Sequence, residues 1–369
     1  MVNEATDLMV FLAVLGLRLG IPLFIPRYPL PAIIAALVLD GVDQTVFQRY
    51  TDLDLTSYQS YDKALDIYYL AIAYLATLRN WENLLAFETS RFLYYFRLVG
   101  VAIFEVTQVR AMLLIFPNTF EYFFIFYEAV RLRWNPAQMG TALVIGAAAA
   151  IWIVIKLPQE YWIHVAQRDV TDTLQENPEL VPVLVAVILG LLVVAWWVIT
   201  RKAPPADRAI TFAVDDPFGD DVYRQVANEV RNRKVFDLAL FEKIVLISLV
   251  CFIFSNILPN LESSPLQLTI AVSTLIVLNT VVSEWLARRG VGWRTTGQEF
   301  VAMAVVNAGL AVAMWLFLRF GDGSIHLGNT LFFLFLVTLL VTLYDRYQPY
   351  YLVLLRHADP ALILPATPA

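Results

Sequence analysis

Residues 29–78 read PLPAIIAALVLDGVDQTVFQRYTDLDLTSYQSYDKALDIYYLAIAYLATL, two apolar segments separated by a polar junction. Asp40 and Asp43 close the first segment, 29–48, and Asp62 and Asp66 open the second, 62–78. Read as helices, the i,i+3 and i,i+4 spacings put each pair of aspartates on one helix face. Four carboxylates at the mouth of a helix hairpin repel one another unless positive charge sits between them. A divalent cation with oxygen ligands, Mg²⁺, Mn²⁺ or Ca²⁺, answers that need.

Around this hairpin the chain is apolar almost everywhere. Hydrophobic residues make up 59% of 369 and charged residues 16%, with a mean hydropathy of +0.64. That balance excludes an ordinary soluble domain and predicts a polytopic membrane protein. Segments able to cross a bilayer need about 20 residues. Candidates are 7–26, 29–48, 62–78, 92–116, 119–134, 139–155, 181–200, 240–258, 266–286, 298–318 and 329–344. The expected fold is therefore an all-α helical bundle with about 10–11 transmembrane helices. Their length and lack of alternation argue against barrel strands.

Three regions follow along the chain: an N-terminal transmembrane block, 1–200, an aqueous loop, 201–239, and a C-terminal transmembrane block, 240–369. Within the loop, ITFAV (210–214) reads as a short strand. Residues 220–235, with Val222, Val226 and Val230 four apart, read as an amphipathic helix. The polar stretch 156–180 reads as an interfacial helix with Trp162, Val165 and Ala166 on one face. Aromatic clusters at Tyr94–Phe96, Phe120–Phe124 and Trp196–Trp197 read as belts at headgroup level. The acidic start MVNEATD lacks a basic n-region, so the first span is expected to be retained. Cys251 lies in an apolar run and reads as a buried small hydrophobe. No basic stripe interleaved with aromatics points to nucleic acid.

Orientation follows from Lys and Arg. With two crossings in 92–134, loops opposite the N-terminus hold Arg27, Arg79, Arg131, Arg133 and the seven basic residues of 201–234. The positive-inside rule then places the aspartate junction outside the cytoplasm. A single crossing, kinked at Phe116-Pro117-Asn118, reverses that assignment.

The aspartate spacing resembles one known signature. CDP-alcohol phosphatidyltransferases carry D-x2-D-G-x2-A-R-x8-9-G-x3-D-x3-D at a helix junction, and Asp40, Asp43, Asp62 and Asp66 fit all four acidic positions. The resemblance implies Mg²⁺ or Mn²⁺ bound by these four aspartates, Asp66 as the base that deprotonates an acceptor alcohol, and a role in lipid metabolism. It covers 40–66 only, and the non-acidic positions depart from it. Gln44 and Tyr58 replace the glycines, and Phe47-Gln48 replaces Ala-Arg. Glycine lets backbone and nucleotide approach closely, so these changes put the nucleotide in doubt. The same aspartates also read as a solvated junction paired with Lys63 and Arg49.

A second group consists of ionisable residues inside apolar segments: Arg97, Glu105 and Arg110, followed by Glu121, Glu128 and Arg131. Each is costly in lipid and calls for a partner or a watery cavity. Glu128 and Arg131 form an i,i+3 pair, and Glu121 shares the face of Glu128. Asn256, Asn260, Asn279 and Asn307, with Glu284, read as interhelical hydrogen-bonding groups. His164, His326 and His357 lie far apart and in or beside loops, without zinc-ligand spacing. No phosphate loop or nucleophile elbow occurs.

Two functions are compatible with these features. One is a divergent, divalent-metal-dependent transferase acting on a membrane phospho-alcohol or lipid. The other is a non-enzymatic transporter, channel or complex subunit whose working part is the Arg97/Glu105/Arg110 polar core. Membrane lipids are the expected partners, and the plasma (cytoplasmic) membrane the expected location.

Overall fold

The computed structural model describes residues 4–52, 58–166, 204–214, 236–256, 265–289, 296–318 and 327–358, with single positions and short runs between 173 and 201. It is 85% helical, and no strand occurs among the described residues, which fixes an all-α class. The long helices are α1 (Glu4–Gly20), α2 (Pro29–Tyr50), α3 (Tyr58–Asn80) and α4 (Leu84–Thr107). A short α5 (Ala111–Ile115) and α6 (Thr119–Arg131) follow, then α7 (Thr141–Val165). The second block holds α8 (Leu238–Ser255), α9 (Pro265–Arg288), α10 (Thr296–Leu318) and α11 (Leu327–Ala358). Six described helices are long and apolar enough to cross a bilayer: those containing Ala5–Phe24, Pro29–Tyr50, Thr141–Val165, Leu238–Ser255, Gln267–Leu286 and Thr330–Leu355. The chain is a multi-pass integral membrane protein.

Local chemistry sets the boundaries. Pro29 starts α2, where a missing N–H costs nothing. The Asn83 side chain caps α4 by accepting from Ala86 N at 3.0 Å. Asp237 caps α8 through Leu240 N at 2.8 Å. The left-handed Gln108 (φ 54°) terminates α4 and turns the chain back.

The stretch 92–134 traverses the bundle and returns. Edge-to-face packing of Tyr94 against Phe120, and stacking of Trp81, just ahead of α4, on Tyr127, run α6 antiparallel to α4. Pro117 breaks the returning arm into α5 and α6. Gly100 makes the return possible, because a Cβ there would lie 2.1 Å from the Phe116 Cβ.

Helix α3 is the hub. Every residue from Ala64 to Asn80 is buried, with α1, α2, α4, α6, α8 and α11 packed around it. By contrast, α1, α2 and α7 turn Leu8, Leu12, Ile34, Val38, Ile153 and Val154 outward. Such apolar residues face lipid in a membrane protein.

Four expectations need correction. Helix α2 does not end at Asp40 and Asp43 but runs on to Tyr50. The aspartates therefore sit inside the span, with Asp43 about 10 Å from the helix end. Tyr94, Phe120, Phe123 and Phe124 are fully buried, so these aromatics build the core instead of a headgroup belt. ITFAV is not a strand; its one described backbone tie outside the segment is Val214 N to Arg27 O at 2.8 Å. Lys156, Glu160 and His164 belong to the membrane helix α7 and face inward, so 156–166 is no interfacial helix and His164 no loop residue. The proposed amphipathic helix 220–235 lies outside the described residues.

Candidate cation site

The site begins with periodicity on α1. Phe11, Val14, Leu15 and Arg18 recur every three to four residues and form its inward stripe. That phase drives Arg18 into the bundle, where it is 4% exposed. On α2, Ala32, Ile33, Ala36, Asp40, Asp43 and Phe47 form the facing stripe. Asp62 and Asp66 reach the same point from the second and third turns of α3.

All four aspartates converge on one guanidinium. Arg18 Nη2 lies 2.7 Å from Asp40 Oδ1 and 3.3 Å from Asp66 Oδ1. Arg18 Nη1 meets Asp62 Oδ1 at 3.4 Å and bonds Asp43 Oδ2. Lys63 adds a second cation, with Nζ 2.8 Å from Asp62 Oδ2 and 3.4 Å from Asp66 Oδ2. Arg49 does not join it; this exposed side chain lies over the Tyr50 ring, 6.0 Å from its centroid.

Among the described residues, four carboxylates thus face Arg18 and Lys63 within the cage. With all four ionised, the excess over these two cations equals the charge of one divalent ion. Asp40, Asp62 and Asp66 each offer an oxygen, and these oxygens lie within 4.8 Å of one another. Oxygens bound to one ion at about 2.1–2.4 Å would show this spacing. The donor set therefore fits a hard cation, with Arg18 as the group that has to share or yield its place. Phe47 is buried and packs on Phe11 and Tyr61 with centroids 6.1 and 6.2 Å away. This aromatic trio lies beside the aspartates and fills the space next to them.

A second polar centre adjoins the cage. Tyr69 OH donates to Glu121, whose other oxygen accepts from Asn118 Nδ2 at 3.1 Å and faces Lys156 Nζ at 3.4 Å. Glu160 accepts from Asn118 N at 3.0 Å and pairs with His164 Nε2 at 2.9 Å. Arg97 donates to Phe116 O at 3.0 Å and lies 3.9 Å from Glu160. Glu105 is buried two turns further along α4, and Arg110 sits at the start of α5. Arg97 therefore belongs with Glu160 on α7. The expected pair forms on α6: Arg131 Nε is 2.6 Å from Glu128, which also accepts from Trp81 Nε1 at 2.8 Å.

Arg18, Lys156, Glu160 and His164 are site residues missing from the sequence reading. Arg18 is in phase with Phe11 and Val14, and the other three lie four apart on α7. Both signals were available. In the second block, Asn279 Nδ2 donates to Asn307 Oδ1, and Asn307 Nδ2 to Thr338 Oγ1, both at 2.8 Å. Asn256 bonds its own helix at Phe252 O, and Asn260 and His326 lie outside the described residues.

A scan against protein-family models found no match, and searches of curated proteins and of solved structures found none either.

Proposed function

We propose that this membrane protein binds a divalent cation in the Asp40/Asp43/Asp62/Asp66 cage and acts on a phospho-alcohol or phospholipid of the cytoplasmic membrane. One observation carries the reading: four carboxylates from two helices meet inside the bundle around Arg18, with Lys63 beside two of them. Burying uncompensated charge is expensive, and a bound cation removes the excess. Mg²⁺ or Mn²⁺ suits an all-oxygen donor set.

A bound divalent ion would neutralise a phosphate brought to the cage. Asp66, at the end of the acidic series, would take the proton of an acceptor hydroxyl, as the signature's last aspartate does. Arg18 would hold Asp40 and Asp43 in place and shift its contacts as the ion enters. The aromatic trio of Phe11, Phe47 and Tyr61 favours a lipid-linked donor over a nucleotide.

The test is Mn²⁺ titrated into the full-length protein in detergent micelles, with free ion read by electron paramagnetic resonance. Saturable binding that weakens about tenfold or more in Asp62→Asn, the loss of one charged ligand, is expected. An isotherm indifferent to both Asp40→Asn and Asp62→Asn sinks the cation site. Phospho-alcohol transfer that survives Asp66→Asn sinks its role as base.

A further inference from the structure

We infer that the outer face of α4 binds one phospholipid whose headgroup carries a primary ammonium, at the end of the bundle opposite the aspartate cage. This site shares no residue with the cage and stands whether or not a cation binds there.

Helix direction places it. The cage aspartates of α3 lie near its start, whereas Arg79 near its close donates from Nη1 to Pro26 O at 2.7 Å. That bond ties the far end of α3 to the turn between α1 and α2. Helix α4 starts at the same end, at Leu84, and Glu88 lies one turn in. From Glu88 to Thr107, α4 rises about 29 Å, close to the ~30 Å hydrocarbon core. Glu88 therefore stands at headgroup level, with the rest of α4 at the depth of acyl chains.

A groove of about 440 Å³ follows this face of the helix. Ligand clefts measure about 300–1,000 Å³. Glu88 and Arg91 form its polar end, and Phe92, Tyr95, Phe96, Val99 and Phe116 its apolar length. The Phe96 ring lies 5.6 Å from Phe92 and 4.6 Å from Phe116, centroid to centroid, so the wall is aromatic and continuous. Phe92, Val99 and Val106, seven apart, are 57%, 40% and 71% exposed and mark the side that faces lipid.

The polar end decides which lipid fits. Glu88 Oε1 accepts from Tyr351 OH of α11 at 2.6 Å, and Arg91 Nη2 donates to Glu242 Oε2 of α8 at 2.9 Å. Each charge is thus held from one side by another helix, while the two side chains remain 48% and 35% exposed. Arg91 Nη1 and Glu88 Oε1 stand 3.8 Å apart, too far for a hydrogen bond. An acid and a base therefore sit side by side without neutralising each other's hydrogen-bonding capacity. Arg91 also lies between two carboxylates, Glu88 and Glu242, so the group of three is net negative. A purely anionic headgroup would meet one guanidinium against that excess. A headgroup joining phosphate to a primary ammonium answers both signs: its phosphate accepts from Arg91, and its ammonium donates to the second oxygen of Glu88. A quaternary ammonium has no N–H to give. Phosphatidylethanolamine has the required chemistry, with one acyl chain lying along Phe92, Phe96 and Val99.

The experiment uses the full-length protein in detergent micelles containing equimolar phosphatidylethanolamine, phosphatidylglycerol and phosphatidylcholine with identical acyl chains. Native mass spectrometry counts the lipid retained. One phosphatidylethanolamine per protein is expected, about tenfold or more over either competitor, as fits charge-assisted hydrogen bonds made by one headgroup only. Glu88→Gln keeps an acceptor for Tyr351 but removes the charge, and should retain the three lipids about equally. Val99→Trp fills the groove from the lipid side and should abolish retention of all three. An unchanged thermal midpoint shows that each variant folds. Equal retention of the three lipids by the wild type overturns the site, and so does a phosphatidylethanolamine preference that survives Glu88→Gln. Retention undiminished in Val99→Trp overturns the groove as the seat of the acyl chain. Failure of Mn²⁺ to bind the wild type would sink the cation reading and leave this one untouched.

Discussion

The two halves of the bundle solve the problem of polar groups in a membrane differently. Between α1, α2 and α3 the interior is ionic, with Arg18 and Lys63 set among four aspartates. Around α9, α10 and α11 it centres on a ladder of Asn279, Asn307 and Thr338 in which amides bond one another or a hydroxyl, and its charges are matched one to one, as in Glu299–Arg346 at 3.2 Å and Lys243–Asp345 at 2.6 Å. At the seam, Glu242 of α8 gathers Arg91 at 2.9 Å, Tyr95 and Tyr344 at 3.2 Å, and Tyr74. An amide ladder adds modest stability at little electrostatic risk. A buried ionic cluster is a poor way to gain stability, since desolvation offsets most of the attraction. The half with four aspartates set against Arg18 and Lys63 is thus the half where the proposed cation would answer a charge.

The comparison breaks most readily at Arg18. Arg18→Ala removes the cation that all four carboxylates share, and removing one partner of a buried ion pair costs about 3–5 kcal/mol. A large fall in the thermal midpoint in detergent is expected, partly restored by Mn²⁺. An unchanged midpoint would mean that Arg18 does not hold the cage together. Smaller is the effect of Asn307→Ala in the ladder, about 0.6 kcal/mol and at most about 1.7. Chemical unfolding in mixed micelles resolves it, and a loss as large as that of Arg18 would erase the contrast between the halves. Smallest of all is Arg49→Gln. This arginine lies outside the cage on the exposed end of α2, so a change within about 0.5 kcal/mol is expected. A larger loss would put Arg49 among the aspartates after all.

The class of fold was legible because about 20 apolar residues in a row admit few alternatives. The convergence of Asp40, Asp43, Asp62 and Asp66 was legible too, from helical spacing on either side of a short polar junction. What composition hid was the partner. Arg18 interrupts an otherwise apolar segment and looks like a flanking charge, yet its phase with Phe11 and Val14 turns it inward. Aromatic clusters were misjudged for a related reason: Tyr94 and Phe120 suit a lipid headgroup region or a stacked core equally well, and only the return of α6 along α4 selects the core. The row Lys156, Glu160 and His164 was obscured because its polarity resembles the end of a span. Its three members share one face of a helix that continues to Val165.

Helix α3 has a consequence for how the chain enters the bilayer. It is buried from Ala64 to Asn80, yet it is absent from the six described helices apolar enough to cross by composition. Asp62, Lys63 and Asp66 each oppose partitioning, and a centrally placed Asp or Lys costs about 2.5–3.5 kcal/mol during insertion. Alone at the translocation channel, α3 would favour water. Its carboxylates become tolerable beside Arg18 of α1, which the ribosome makes earlier. Synthesis order and pairing therefore coincide: the first two helices form the seat that admits the third, and the cage is assembled as the price of entry.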